Sequence, residues 1–274
     1  MAIQIFTSHV LLSTILLILL AMKLNIPKKL GLYSGIVIGF ATFPIVLLIA
    51  RWFPSVNRPC FLPIEAAICL FFTGIVIAVR FFRDPERKTP DEKNIIISPA
   101  DGTVRYIYQL NDQEIPVSEK KGNAYSILEL SKTDMLTEGS YLIGIEMSVM
   151  DNHVNRSPIE GEIILQQPSK GEFLSLRSIE SIFQNERVTT VIRNNDLTIG
   201  VVQIASRLVR RIVSYHPVGK YVKQGERIGM IRFGSQVDVI IPKKINVELF
   251  VKQGQHVTAG ETVLAKWTHG GRNH

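Results

Sequence analysis

Acidic residues are almost missing from the first eighty positions. Glu65 is the only one there, against Lys23, Lys28, Lys29, Arg51, Arg58 and Arg80, so this segment nets 6 − 1 = +5. The whole chain of 274 residues nets +7, which leaves 7 − 5 = +2 for residues 81–274. A folded part so close to neutral is not a nucleic-acid binder, which needs a basic face of its own. Cysteine is just as scarce. Cys60 and Cys69 are the only two, and both lie in the apolar N-terminal part. The remainder therefore has no disulfide framework and no thiolate metal centre. It also lacks paired histidines at ligand spacing, which removes a zinc peptidase and leaves no metal expected.

What the first eighty residues do contain is three long apolar runs, about 2–22, 30–50 and 61–79. Each reaches the roughly 20 residues that a helix needs to cross a bilayer. The first run has neither a basic leader nor a small-residue cleavage site, so it reads as a retained anchor rather than a signal peptide. Gly31, Gly35, Gly39 and Pro44 in the second run suit a membrane helix. Pro63 and Glu65 near the start of the third leave open a buried or interfacial helix. Residues 1–80 are thus expected to form an anchor of two to three transmembrane helices. Lysines in the first loop, with Arg80, Arg83, Arg87 and Lys88 after the third run, place residues 81–274 on the cytoplasmic side of a cell membrane. Arg51 and Arg58, between runs two and three, count against that orientation.

Residues 81–274 read as short strands rich in Ile, Val and aromatics, at 94–97, 102–108, 142–149, 161–165, 187–192, 197–205 and 237–241. Residues 206–214 fit either a short helix or a bent strand. The expected class is mainly β. The run Val-Lys-Gln-Gly occurs at Val222 and again at Val251, 251 − 222 = 29 residues on. Two glycine turns of this kind suggest a folded-over β-sandwich with local two-fold symmetry, as in lipoyl- and biotinyl-like domains. That pattern also suits a non-enzymatic, membrane-anchored adaptor. A carrier, however, needs its lysine at a hairpin tip, and Lys223 and Lys252 precede the turn glycine.

Several short stretches carry side chains suited to chemistry. Phe-Phe-Arg-Asp-Pro begins at Phe81 and Ser-Pro-Ala-Asp-Gly at Ser98. His-Val-Asn-Arg-Ser-Pro begins at His153, Asn-Glu-Arg at Asn185, Gln-Ile-Ala-Ser at Gln203 and Phe-Gly-Ser at Phe233. Taken singly, each has a bland reading as turn, loop or solvated face. In this order they resemble the phosphatidylserine decarboxylases, in the shorter branch marked by Phe-Gly-Ser, over about residues 81–242.

The resemblance implies a specific chemistry. Loss of CO2 from an α-amino acid needs an electron sink, and this family makes its own, without an external cofactor. Ser235 attacks the Gly234 carbonyl, the chain breaks into 1–234 and 235–274, and Ser235 becomes a pyruvoyl group that forms a Schiff base with the substrate amine. Ser supplies an oxygen one bond from Cβ, and Gly234 has no Cβ to block the attack. A hydroxyl needs a base to become a nucleophile. The resemblance assigns that base to His153, with Asp101 orienting the imidazole. One departure from the family pattern is Arg156, where the longer-studied branch has a second His. Arg156 either holds the substrate carboxylate or phosphate or ties down its loop. Arg207, Arg210 and Arg211 are candidate headgroup phosphate contacts. The partners implied are a membrane phospholipid, the bilayer, and the large and small chains of one precursor. A homo-oligomer is left open.

Overall fold

The computed structural model describes residues 2–269 apart from 25, 54–57, 111–113, 117–123, 137–139, 173, 175, 177–179, 207–211, 233–234 and 243–244. The chain divides into two compact units, 1–82 and 83–274.

The first unit is three helices: α1 (Ala2–Lys23), α2 (Lys28–Trp52) and α3 (Arg58–Phe82). All three are long and apolar enough to cross a membrane. The glycines that the sequence sets four apart face α1. A Cβ on Gly31, Gly35 or Gly39 would lie 2.8, 2.5 or 2.4 Å from atoms of Ala21, Thr14 or Ser13. Small residues at such a contact let the two backbones approach, and packing then replaces the missing hydrophobic drive. Glu65 does not face lipid. It is buried against His9, which also meets Thr42, at 3.2 and 2.9 Å, so one polar cluster draws on all three helices. Pro63 sits within α3.

The second unit is built from β1 (Ile95–Ile97), β2 (Gly102–Leu110), β3 (Glu114–Pro116), β4 (Ala124–Ser126), β5 (Ser140–Met147), β6 (Val154–Arg156), β7 (Gly161–Ser169) and β8 (Arg187–Arg193). It continues with β9 (Thr198–Ala205), β10 (Ile212–Ser214), β11 (Tyr221–Val222), β12 (Arg227–Ile231), β13 (Ser235–Pro242), β14 (Ile245–Leu249), β15 (His256–Val257) and β16 (Val263–His269). Two short helices, α4 (Ile127–Ser131) and α5 (Glu180–Gln184), cover one side. An eight-stranded antiparallel sheet runs β11-β7-β8-β9-β13-β5-β2-β15, with three-stranded sheets β1-β16-β14 and β10-β12-β6 beside it. The mainly-β class expected from the sequence is the class observed.

The local two-fold symmetry is present, and it follows a different register from the Val-Lys-Gln-Gly echo. Ile97 N–H donates to the Pro158 carbonyl while Arg156 N–H donates to that of Pro99, at 3.1 and 2.9 Å. Gly260 N–H donates to Ser98 O as Gly225 N–H does to Ser157 O, and Gly254 to Val104 O as Gly219 to Ile163 O. The matching glycines are therefore 254 − 219 = 35 and 260 − 225 = 35 residues apart. All four have φ between 78° and 88°, a turn conformation that favours glycine. The second copy of Ser-Pro-Ala-Asp-Gly is Ser157-Pro158-Ile159-Glu160-Gly161. In both, the Ser hydroxyl reaches the carbonyl two residues on. The Val239–Val201 pair sits on the axis, because the β13–β9 register maps onto itself there.

One half is contiguous, β6 to β12. The other half is interrupted: β1, β2 and β5 come before that insertion, and β13 to β16 after it. Where the contiguous half closes a hairpin between Arg193 and Thr198, the interrupted half has open ends at Glu146 and Gln236. Residues 148–153 carry the chain out across this gap to β6, and the chain re-enters the sheet at Ser235.

Gly144, in the middle of β5, is explained by its neighbours. It pairs with both Tyr106 and Asp238, and the Tyr106 ring crosses it to donate its hydroxyl hydrogen to Asp238 Oδ2 at 2.7 Å. A Cβ there would meet ring carbons at 2.4–2.8 Å. Gly144→Ala is therefore expected to displace Tyr106 and cost about 1–3 kcal/mol, the usual range for overpacking. Thermal unfolding of the full chain should show a midpoint lower by several degrees, and an unchanged midpoint would refute this packing role.

Candidate active site

Ser235 is the first residue of β13, not a turn ahead of it. Its Cα partners are Met147 on β5 and Ala205 on β9, so strands flank it on both sides. It is buried, and its hydroxyl points at Met147 Sδ at 3.2 Å. Gly234, the other half of the expected cleavage site, lies outside the described residues.

His153 closes the outgoing crossover. Its carbonyl accepts Ile231 N–H at 3.2 Å, four residues ahead of Ser235. The imidazole is fully buried, and its Nδ1 lies 2.9 Å from the Asp151 carbonyl. A carbonyl only accepts, so Nδ1 carries the hydrogen and Nε2 is the acceptor nitrogen of the neutral ring. Burial pushes its pKa down to about 4. The ring is therefore neutral at physiological pH, the state a general base requires.

The sequence expectation gives Asp101 the role of orienting His153. Asp101 is buried, but one of its oxygens accepts Ala259 N–H at 2.7 Å and the other pairs with Arg87 at 2.8 Å. The Asp151 carbonyl is the acceptor that meets the His153 Nδ1 hydrogen. The Asp151 carboxylate also caps its own loop at Ser148 N–H, 2.7 Å away, and meets His256 Nε2 at 3.1 Å.

Of the two roles expected for Arg156, the structure shows the tether. Its buried guanidinium donates to the carbonyls of Gly225 and Pro85 and pairs with Asp84, at 2.9, 3.0 and 3.3 Å. The Phe-Phe-Arg-Asp-Pro stretch is thereby tied to β6. Arg207, Arg210 and Arg211 lie outside the described residues.

Three polar residues inside the quoted motifs have structural roles that the sequence reading did not assign. Gln203 donates to Asn155 Oδ1 at 2.8 Å, bridging β9 to β6 beneath the site. Asn185 donates to the Ala205 and Leu174 carbonyls, at 3.0 and 2.9 Å, and so buttresses the residue that pairs with Ser235. Arg187 is buried, and its guanidinium donates to the carbonyls of Asn185, Glu129, Leu130 and Phe183.

A further buried acid follows Ser235 on the opposite face of β13. Asp238 accepts from Tyr106 and from Gln236 Nε2, both at 2.7 Å, and Gln236 in turn accepts from Arg105 at 3.2 Å. Burial raises its pKa to about 6. Among the described residues no cluster of three or more His, Cys, Asp or Glu side chains is placed to hold a metal ion.

The family model described as phosphatidylserine decarboxylase matches residues 76–265. A phosphatidylserine decarboxylase proenzyme of Geotalea uraniireducens is 36% identical over 227 residues, covering 82% of this chain and 89% of that protein. One from Wolbachia pipientis wMel is 36% identical over 234 residues, covering 85% and 88%. A protein of Methanothermobacter thermautotrophicus, provisionally named an archaetidylserine decarboxylase proenzyme, is 40% identical over 201 residues, covering 73% and 85%.

His153 and Asp238 bias stability in opposite directions as pH changes. His153 binds its proton less well folded than unfolded, so its contribution is complete above about pH 6.5 and is lost as pH falls towards 4. Asp238 binds its proton better folded, so its contribution is complete below about pH 4 and is lost as pH rises through 6. Asp238→Asn removes only the second. Between pH 4 and 7 the variant should gain stability relative to the parent, on the order of 3 kcal/mol for a shift of about two units. Thermal midpoints read across that range should diverge, and parallel curves would refute the assignment.

Proposed function

Because the chain belongs to the phosphatidylserine decarboxylase family, we propose that it decarboxylates phosphatidylserine to phosphatidylethanolamine after cutting itself between Gly234 and Ser235. The observation that carries this is the placement of Ser235. It is buried at the start of a strand paired on both sides, beside a crossover that ends in a neutral, tautomer-fixed histidine. A break before residue 235 leaves β13 whole, so residues 235–274 stay held by β5 and β9.

In this reading His153 Nε2 takes the Ser235 hydroxyl proton as the oxygen bonds to the Gly234 carbonyl carbon. The Gly234–Ser235 C–N bond breaks and the proton passes to the freed amine, leaving an ester. Removal of the Ser235 Cα hydrogen then expels residues 1–234 as a carboxylate and leaves a dehydroalanine, which water converts to a ketone with loss of ammonia. A pyruvoyl ketone at 235 supplies the electron sink for decarboxylation. The buried position of residue 235 suits it, because the neighbouring strands exclude water from the reacting atoms. Asp101 acts as a positioning residue that holds Arg87 and the Ala259 turn against the tethered Arg156. The anchor keeps the catalytic unit at the cytoplasmic face, where its lipid lies. The adaptor reading accounts for the glycine turns but not for His153 and Ser235 at one crossover.

Denaturing electrophoresis and mass analysis test the first step. The parent chain should run as 1–234 and 235–274 with a blocked new N-terminus, and Ser235→Ala should remain one inactive chain. His153→Ala should slow processing about a hundredfold to ten-thousandfold, the usual worth of a positioned base. Processing by the parent should be flat above about pH 5 and fall as pH drops through 4. Release of CO2 from phosphatidylserine by Ser235→Ala would overturn the mechanism. Assays on ester- and ether-linked serine lipids would show which tails the chain accepts.

A further inference from the structure

The two symmetric halves differ most at one exposed turn. In the contiguous half, residues 215–221 read Tyr-His-Pro-Val-Gly-Lys-Tyr, and Tyr215, Val218 and Tyr221 are 42%, 53% and 56% exposed. Lys220 and Lys223 are also exposed, and the stretch 215–223 contains no acidic residue. The equivalent turn of the other half, 35 residues on, places Phe250, Gln253 and His256 at the corresponding positions and keeps one lysine, Lys252. The turn is firmly built. Tyr215 N–H donates to Ile228 O at 3.0 Å, His216 meets Glu226 at 3.2 Å, and Gly219 N–H donates to Ile163 O at 2.8 Å.

Its place along the chain is as informative as its composition. Arg227, between Glu226 and Ile228, grips Asp84 at 2.5 Å and Glu86 at 2.8 Å. The third apolar helix ends at Phe82. Two residues span at most about 7 Å, so Asp84 and what it holds stay close to the bilayer surface if that helix is a span. A turn bearing two tyrosines, a valine and lysines, stitched to that point, has the make-up of an interfacial contact.

We propose that the 215–221 turn is a second membrane contact, which seats Val218 and the two tyrosines among the lipid headgroups of an anionic bilayer. Its lysines meet the negative lipid charge while its rings take the amphipathic boundary. Such a contact turns one defined edge of the sheet, β11, towards the lipid. The inference rests on the reading of this chain as a membrane-lipid enzyme only in its choice of occupant.

The full chain, with Cys60→Ser and Cys69→Ala, is reconstituted in phosphatidylcholine–phosphatidylglycerol vesicles. It carries an environment-sensitive fluorophore on Val218→Cys or, as the symmetric control, on Gln253→Cys. The label at 218 should emit blue-shifted and be quenched by lipids brominated on the upper acyl chain, while the label at 253 reports water. Equal water-like emission at both sites, or equal quenching at both, would overturn the proposal. As a second arm, Val218→Asp with Tyr221→Asp should raise KM for bilayer phosphatidylserine about tenfold. It should leave processing and activity on detergent-dispersed short-chain lipid unchanged, and an equal loss on both substrates would count against a membrane role. An active chain with an unquenched 218 label sinks this inference alone. An inactive chain with a quenched label sinks the enzymatic reading alone.

Discussion

Everything at the candidate site depends on β13 being hydrogen-bonded along both edges from its first residue. Ser235 is paired with Met147 and Ala205, so a chain break just before it leaves β13 from Gln236 onward flanked on both sides. The buried alternation of Val237, Val239 and Ile241 fixes β13 in the core, and the chain beyond it supplies β14, β15 and β16. A strand at the sheet edge would have only one such partner and would be held far less well after cleavage.

That central position follows from the pseudo-two-fold. One half of the domain is a contiguous run of seven strands inserted into the other, and the interrupted half must therefore have two crossovers where its twin has a hairpin. Turns are ordinarily exposed. Here residues 148–153 lead into the inserted half, and His153 and Ser235, on either side of that insertion, are both buried. Desolvation then keeps the imidazole neutral, and the Asp151 carbonyl selects its tautomer. The polar supports around it, Asn155 with Gln203 and Asn185 with Ala205, satisfy backbone and side-chain groups that burial would otherwise leave costly.

The symmetry also shows where the halves were allowed to differ. Asp101 corresponds to Glu160, and only Asp101 is buried and engaged by an arginine and a turn amide. Arg156 corresponds to Ile97, and only the arginine reaches back to the segment after the apolar helices. The 215–221 turn corresponds to 250–256, and only the first is doubly aromatic. These departures gather on residues that tie distant segments together, while the glycine turns are shared by both halves.

The sequence by itself determined the three apolar helices, the mainly-β class and the family. Each is written locally, in run length, period-two alternation or ordered motifs. Residue types alone could not say which groups meet. Asp101 was legible as important but not as the partner of Arg87. Arg156 was legible as unusual but not as a tether to Asp84. The 29-residue echo of Val-Lys-Gln-Gly pointed to a real two-fold in the wrong register, because turn equivalence is set by which carbonyls the glycine amides reach. Only the tertiary structure decided those pairings, since they join residues far apart in the chain through hydrogen bonds that leave no periodic trace. It also decided that Ser235 begins a buried central strand, because strand order is fixed by the packing of two interleaved halves.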